Sequence, residues 1–158
     1  MIKISKMSDY AVVVLAELAT RKVGHMSATA IAKNIKLPEP TVSKILKQLS
    51  KAGLVKSTRG VNGGYAPLFL PRQITVESII RAIDGPISIT ECADLSAKDC
   101  SLIDSCSVRG RWNGVNTAIR SALEVVTLAD MIEPRQAIVN NKEPMLFEGD
   151  KEQNYGGH

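Results

Sequence analysis

The sequence predicts a mainly α-helical chain with one small β-hairpin, arranged as a winged helix-turn-helix followed by a long dimerisation helix. Three observations carry this. Apolar residues repeat at helical spacing over three segments of the first fifty residues, which Gly24 and Pro38 punctuate. An Asn62-Gly63 pair lies between two strand-like runs directly after the third segment, a strong hairpin signal. Apolar positions then step by three and four from Trp112 to Ala129, the spacing of a coiled-coil seam.

Each element follows from its residues. Over residues 8–22, Ala11, Val14, Leu15 and Leu18 share one face, with Ser8 as the expected N-cap and Asp9 in the first turn. A second helix opens after the capping residue Ser27 and runs over Ala28–Asn34. Pro38 biases Leu37 away from helical geometry, which sets a turn. The third helix starts at Glu39, with Pro40 near its first position. Val42, Ile45, Leu46 and Leu49 form its inner stripe, and Gly53 suits its left-handed C-terminal cap. Leu54–Thr58 and a run beginning at Tyr65 are the strands of the wing. A short amphipathic helix over Thr75–Ile83 is capped by Thr75 and stopped by Asp84-Gly85-Pro86. From about Ser107 to Ile132 the pattern predicts one helix, with Trp112, Val115, Ile119, Ala122, Val126 and Ala129 as a seam. A helix this long on a small domain packs against a second copy. Residues 133–158 have no sustained periodicity and are expected to form a flexible tail.

Composition narrows the class. At 158 residues and 44% hydrophobic content the chain can bury a core built on aliphatic side chains, since aromatics make up only 4%. No apolar run approaches the roughly 20 residues of a membrane span, and the first residues lack the apolar stretch of a signal peptide. The expectation is a cytoplasmic protein without membrane association. The net charge of +4 is unevenly spread. Residues 1–72 carry 12 Lys and Arg against three acids, a net of +9, while residues 73–158 are net −5. A basic first half points to a polyanionic partner.

The third helix is basic and polar outside, and a hairpin follows it. That order fits double-stranded DNA, with the helix in the major groove and the wing beside it. Thr41 and Ser43 suit contacts to bases or phosphates, Lys44 reaches guanine, and Glu39 accepts from cytosine. Lys47 joins Lys44 in neutralising phosphates. Arg59, at the wing tip, suits a narrow minor groove. Two such modules in a homodimer would read a roughly palindromic operator.

All three cysteines, Cys92, Cys100 and Cys106, lie in one stretch poor in apolar residues, separated by seven and then five residues. Three thiolates there suit a soft metal or an iron–sulfur cluster. A thiol switch between two of them is an alternative. Zinc fits less well, because its sites favour cysteine pairs two to four residues apart. Ser107 reads as the N-cap of the long helix, which would place the Cys106 thiolate by a positive helix end. No substrate pocket signature, phosphate loop or His cluster supports a metalloenzyme or electron carrier.

The Met7-Ser8-Asp9-Tyr10-Ala11 start of the first helix, the Lys51–Tyr65 run with Arg59-Gly60 and Gly63-Gly64-Tyr65, and Ala82-Ile83-Asp84-Gly85-Pro86 resemble the IscR/NsrR/RirA family of bacterial iron–sulfur regulators. The likeness spans roughly residues 1–132 and is strongest to regulators of SUF iron–sulfur assembly. It implies a homodimeric winged-helix transcription regulator, not an enzyme, and a repressor role is expected by that likeness. It also implies that Cys92, Cys100 and Cys106 ligate a cluster whose state alters DNA binding. Two features depart from IscR-type members: their first gap holds five residues, and their histidine three places after the third cysteine is Arg109 here. The likeness therefore favours a 4Fe–4S cluster over a 2Fe–2S one. Asp9 matches the aspartate that supplies the fourth ligand from the opposite subunit in the NsrR-like branch. A nitric-oxide-responsive or cysteine-oxidation regulator is the alternative. The implied organisation is a DNA-binding domain over 1–85, a cysteine loop over 86–106, a dimerisation helix over 107–132 and a tail over 133–158.

Overall fold

The structure, a computed structural model, describes residues 3–20, 24–61, 63–90, 107–108 and 110–133. The three cysteines, and residues 134–158 of the expected tail, lie outside these.

Three helices build the first layer: α1 (Lys6–Thr20), α2 (Ala28–Ile35) and α3 (Glu39–Lys51). Ala11, Val14, Leu15 and Leu18 of α1 meet Ile31 of α2 and Val42, Ile45, Leu46 and Leu49 of α3 in one core. Each large aliphatic side chain taken from water there contributes about 1.5–3 kcal/mol. Ser27 caps α2 by accepting from the Ala30 amide at 3.1 Å. Lys36 closes α2 in the left-handed conformation at φ 57°, and it is the only non-glycine residue with positive φ among the described residues. Gly53 turns the chain out of α3 at φ 74°.

The wing is an antiparallel pair, β1 (Val55–Thr58) and β2 (Gly64–Pro67), in the register Val55↔Pro67 to Thr58↔Gly64. A 3₁₀ turn (Pro71–Gln73) leads to α4 (Val76–Asp84), which Thr75 caps by accepting from the Ser78 amide. Then come α5 (Trp112–Glu124) and α6 (Leu128–Ile132).

Three expectations need correction. Ser8 is not the N-cap of α1. Ser5 is: its hydroxyl accepts from the Ser8 amide at 3.0 Å, and Ser8 itself is fully buried. Ser107 lies in a turn, and the helix begins only at Trp112, after Gly110 in the left-handed region at φ 72°. No helix starts at Ser107, and Cys106 itself lies outside the described residues. The single helix expected over 107–132 is also two helices. Val126 accepts from the Val76 amide at 2.9 Å, and the Leu128 amide donates to Ile74 at 2.8 Å. This short bridge takes the backbone groups that helical continuation would need. Thr127 and Asp130 then form a reciprocal capping box that starts α6 afresh. The last expected seam position, Ala129, is buried next to Leu128 of the core.

Candidate nucleic-acid interface and sensor site

α3 is held by four fully buried side chains at i, i+3, i+4 and i+7: Val42, Ile45, Leu46 and Leu49. That choice of inner face fixes the outer one. Glu39, Lys44, Lys47 and Lys51 are exposed, and Thr41 and Ser43 are half-buried. Pro38 precedes the helix in extended geometry and its carbonyl accepts from the Thr41 and Val42 amides. The start of α3 is thus fixed by backbone bonds alone, leaving the Thr41 and Ser43 hydroxyls unspent on capping.

The wing is pinned rather than free-standing. Met26, ahead of α2, exchanges two backbone hydrogen bonds with Tyr65, at 2.9 and 2.8 Å. His25 Nε2 lies 2.9 Å from Thr58 Oγ1. The approach to Met26 requires glycine at position 64: its φ is 152°, and an added Cβ would lie 2.6 Å from the Met26 carbonyl oxygen. Gly63 is as constrained, since a Cβ there would collide with the Thr58 carbonyl oxygen. Arg59 follows β1 directly and is exposed, next to the fully exposed Val61. Lys44, Lys47, Lys51, Lys56 and Arg59 are all exposed, and none pairs with an acid among the described residues. Five unneutralised cations on one helix and the adjoining hairpin suit a phosphate backbone.

Asp9 is exposed in the first turn of α1, and its carboxylate has no partner among the described residues. Among those residues no three His, Cys, Asp or Glu side chains gather into a metal site.

Sequence reasoning missed a polar junction behind this face. Both oxygens of Asp84, at the end of α4, accept from hydroxyls at the start of α1: Oδ1 from the capping Ser5 at 2.9 Å and Oδ2 from Ser8 at 2.7 Å. Asn116, the one buried residue of α5, donates to the Ile87 carbonyl at 2.9 Å and accepts from the Ile89 amide at 3.3 Å. Gln48 of α3 donates to the Ile83 carbonyl at 3.2 Å. No local pattern links residues so far apart. The only hint was Asn116, a polar residue within an otherwise amphipathic helix.

A three-helix core, a basic helix after a tight turn and a pinned glycine-rich hairpin define a winged helix-turn-helix DNA-binding regulator. Comparison with known proteins makes the class particular. The chain belongs to the Rrf2 family, described as an iron-dependent transcriptional regulator, whose model matches residues 4–134. It is 34% identical over 137 residues to a putative Rrf2-like HTH-type transcriptional regulator of Rhodobacter capsulatus, covering 82% of this chain and 91% of that one. Among solved structures it resembles CymR, the global cysteine regulator of B. subtilis, with a TM-score of 0.63 and 34% identity over 84% of this chain and 97% of that one. It also resembles IscR of T. potens, with a TM-score of 0.59 and 35% identity over 83% and 86%. Among the described residues no helix is long and apolar enough to cross a membrane.

Proposed function

We propose that this chain is a homodimeric transcription regulator that senses iron–sulfur cluster status through Cys92, Cys100 and Cys106 and represses iron–sulfur assembly genes. The observation that carries the reading is the sequential arrangement: a winged helix with unpaired cations, then every cysteine of the chain in one stretch, then a helix that its own fold leaves uncovered. On α5 only Asn116 is buried, while Trp112 and Val115 are 42% and 46% exposed. Such a face suits a second copy of α5, and two wings then address a roughly palindromic site.

The donor set fits the group. Three thiolates favour iron–sulfur ligation, and the exposed, unpartnered Asp9 of the opposite subunit is a suitable fourth ligand for a 4Fe–4S cluster. A cluster with one carboxylate-held iron supplies a labile site for oxygen, nitric oxide or iron scarcity. In the duplex, Lys44 and Lys47 neutralise phosphates, Glu39, Thr41 and Ser43 face base edges, and Arg59 enters the minor groove.

The test is anaerobic native mass spectrometry beside selection of a duplex from random sequence. The expected species is a dimer with one cluster per chain, lost in Cys92→Ala, Cys100→Ala and Cys106→Ala and weakened in Asp9→Ala. Lys44→Ala should cost affinity and lower the salt slope by about one. A protein that stays colourless after reconstitution, with unchanged DNA binding, refutes the cluster. A second reading, direct cysteine oxidation, is favoured by the likeness to a cysteine regulator. It is distinguished by DNA release under mild peroxide with iron chelated.

A further inference from the structure

We infer that the stretch Ile83–Ile89 is the mechanical coupling between the cysteine stretch and the reading helix, with Gln48, Asp84 and Asn116 as its positioning residues. The inference deepens the sensing function proposed above and rests on it.

Seven consecutive residues touch the three parts that sensing must connect. At one end, the Ile83 carbonyl accepts from Gln48 Nε2. Gln48 sits on α3 directly after Lys47 and one turn beyond Lys44, so this bond ties the reading helix to the end of α4. In the middle, Asp84 spends both carboxylate oxygens on Ser5 and Ser8. Ser8 is fully buried and immediately precedes Asp9, the candidate ligand on the surface of α1. At the far end, Asn116 clamps both Ile87 and Ile89 to α5. Cys92 follows Ile89 by three residues.

The strengths of these attachments differ, and the difference suggests where movement is absorbed. Asp84 holds two short hydrogen bonds to a carboxylate, the stronger kind. Asn116 is 8% exposed and satisfied on both its donor and acceptor sides. Gln48 is incomplete. Its Oε1 is buried and accepts no hydrogen bond among the described residues, so one half of the amide is unsatisfied in this arrangement. A group in that position gains from a small shift that brings a donor to it, which is how a packed contact comes to have two arrangements. A displacement at Cys92 or Asp9 is held by the Asn116 and Asp84 attachments. It then reaches α3 at the weakest link, the Gln48–Ile83 contact, and re-aims Lys44 and Lys47.

The experiment compares affinity for the selected duplex in cluster-loaded and cluster-free protein, for wild type, Gln48→Met, Asp84→Asn and Lys44→Ala. Hydrogen exchange of the α3 amides is followed in parallel. Wild type should show a loaded-to-free affinity ratio different from one, within the roughly 5–150-fold span of coupled sites. Gln48→Met should bring the ratio toward one and abolish the effect of loading on α3 exchange while keeping the cluster. Asp84→Asn, isosteric and able to serve only one serine as before, should reduce it through the other arm. Lys44→Ala should weaken both forms by the same factor and leave the ratio intact. A ratio preserved in both Gln48→Met and Asp84→Asn overturns the coupling and leaves the sensing function standing. A variant that merely destabilises the fold lowers both affinities together and counts against the coupling equally. A wild-type protein that loads no cluster, or binds DNA equally in both states, overturns the sensing function and the coupling with it.

Discussion

Gly64→Ala is the sharpest test of how the wing is held. The alanine would have to adopt a φ of 152°, a conformation that costs a side-chain-bearing residue about 1–3 kcal/mol. Its Cβ would also sit 2.6 Å from the Met26 carbonyl oxygen and 2.7 Å from the Met26 carbonyl carbon, both backbone atoms that cannot rotate aside. Relief requires parting Met26 from Tyr65, which sacrifices two hydrogen bonds with a net worth of about 0.5–1.5 kcal/mol each. The total is about 2–6 kcal/mol, a large share of the roughly 5–15 kcal/mol by which a typical fold is stable. Urea unfolding followed by circular dichroism measures it. Gly60→Ala is the control for conformation alone, since its φ is 111° with nothing within 4 Å of the added Cβ. Gly114→Ala is the opposite control: it lies in α5 with open space around it and should gain about 0.5–1 kcal/mol. Duplex affinity should fall in Gly64→Ala, because Arg59 loses its fixed approach. If Gly64→Ala loses no more stability than Gly60→Ala, the account of the pinned wing is wrong.

Two further outcomes follow from local geometry. Lys36→Gly should stabilise the protein by about 0.5–1 kcal/mol, because it removes left-handed strain of about 1–2 kcal/mol at the cost of a more flexible unfolded chain; a lower unfolding midpoint would contradict this. The Thr127 hydroxyl, then its amide, hold the Asp130 carboxyl below its ordinary 3.8. The unfolded chain therefore takes up this proton first on acidification, so the contribution is complete above that value and is lost as pH falls through the lower folded one. Asp130→Asn should narrow the difference in urea midpoint between pH 6 and pH 3, and an unchanged difference would remove Asp130 from the acid response.

The legible parts of the fold were those set by local rules. The stripe Val42, Ile45, Leu46 and Leu49 fixed the inner face of α3, and with it the exposure of Lys44 and Lys47, because a helical period leaves no other face to bury. Ser27, Thr75 and Gly53 took the capping roles that their chemistry suits, and Gly63 lies between the two strands of the wing. Errors arose where a local signal had a distant competitor. Ser8 has the chemistry of a cap, but Asp84, 76 residues away, gives its hydroxyl a buried partner, and Ser5 caps instead. The seam through Val126 and Ala129 reads as helix, but the backbone at 74–76 claims its hydrogen-bonding groups.

By itself, then, the sequence determined the class of fold, the buried and exposed faces of α3, the wing and the grouping of every cysteine into one stretch, because periodicity, caps and spacing act over a few residues. Only the tertiary structure decided where α5 stops, what Asp84 and Asn116 hold, and how the end of α4 meets Gln48. Those are pairings between residues tens of positions apart, and a hydrogen bond formed across that distance leaves no mark on the pattern of either strand of sequence that makes it.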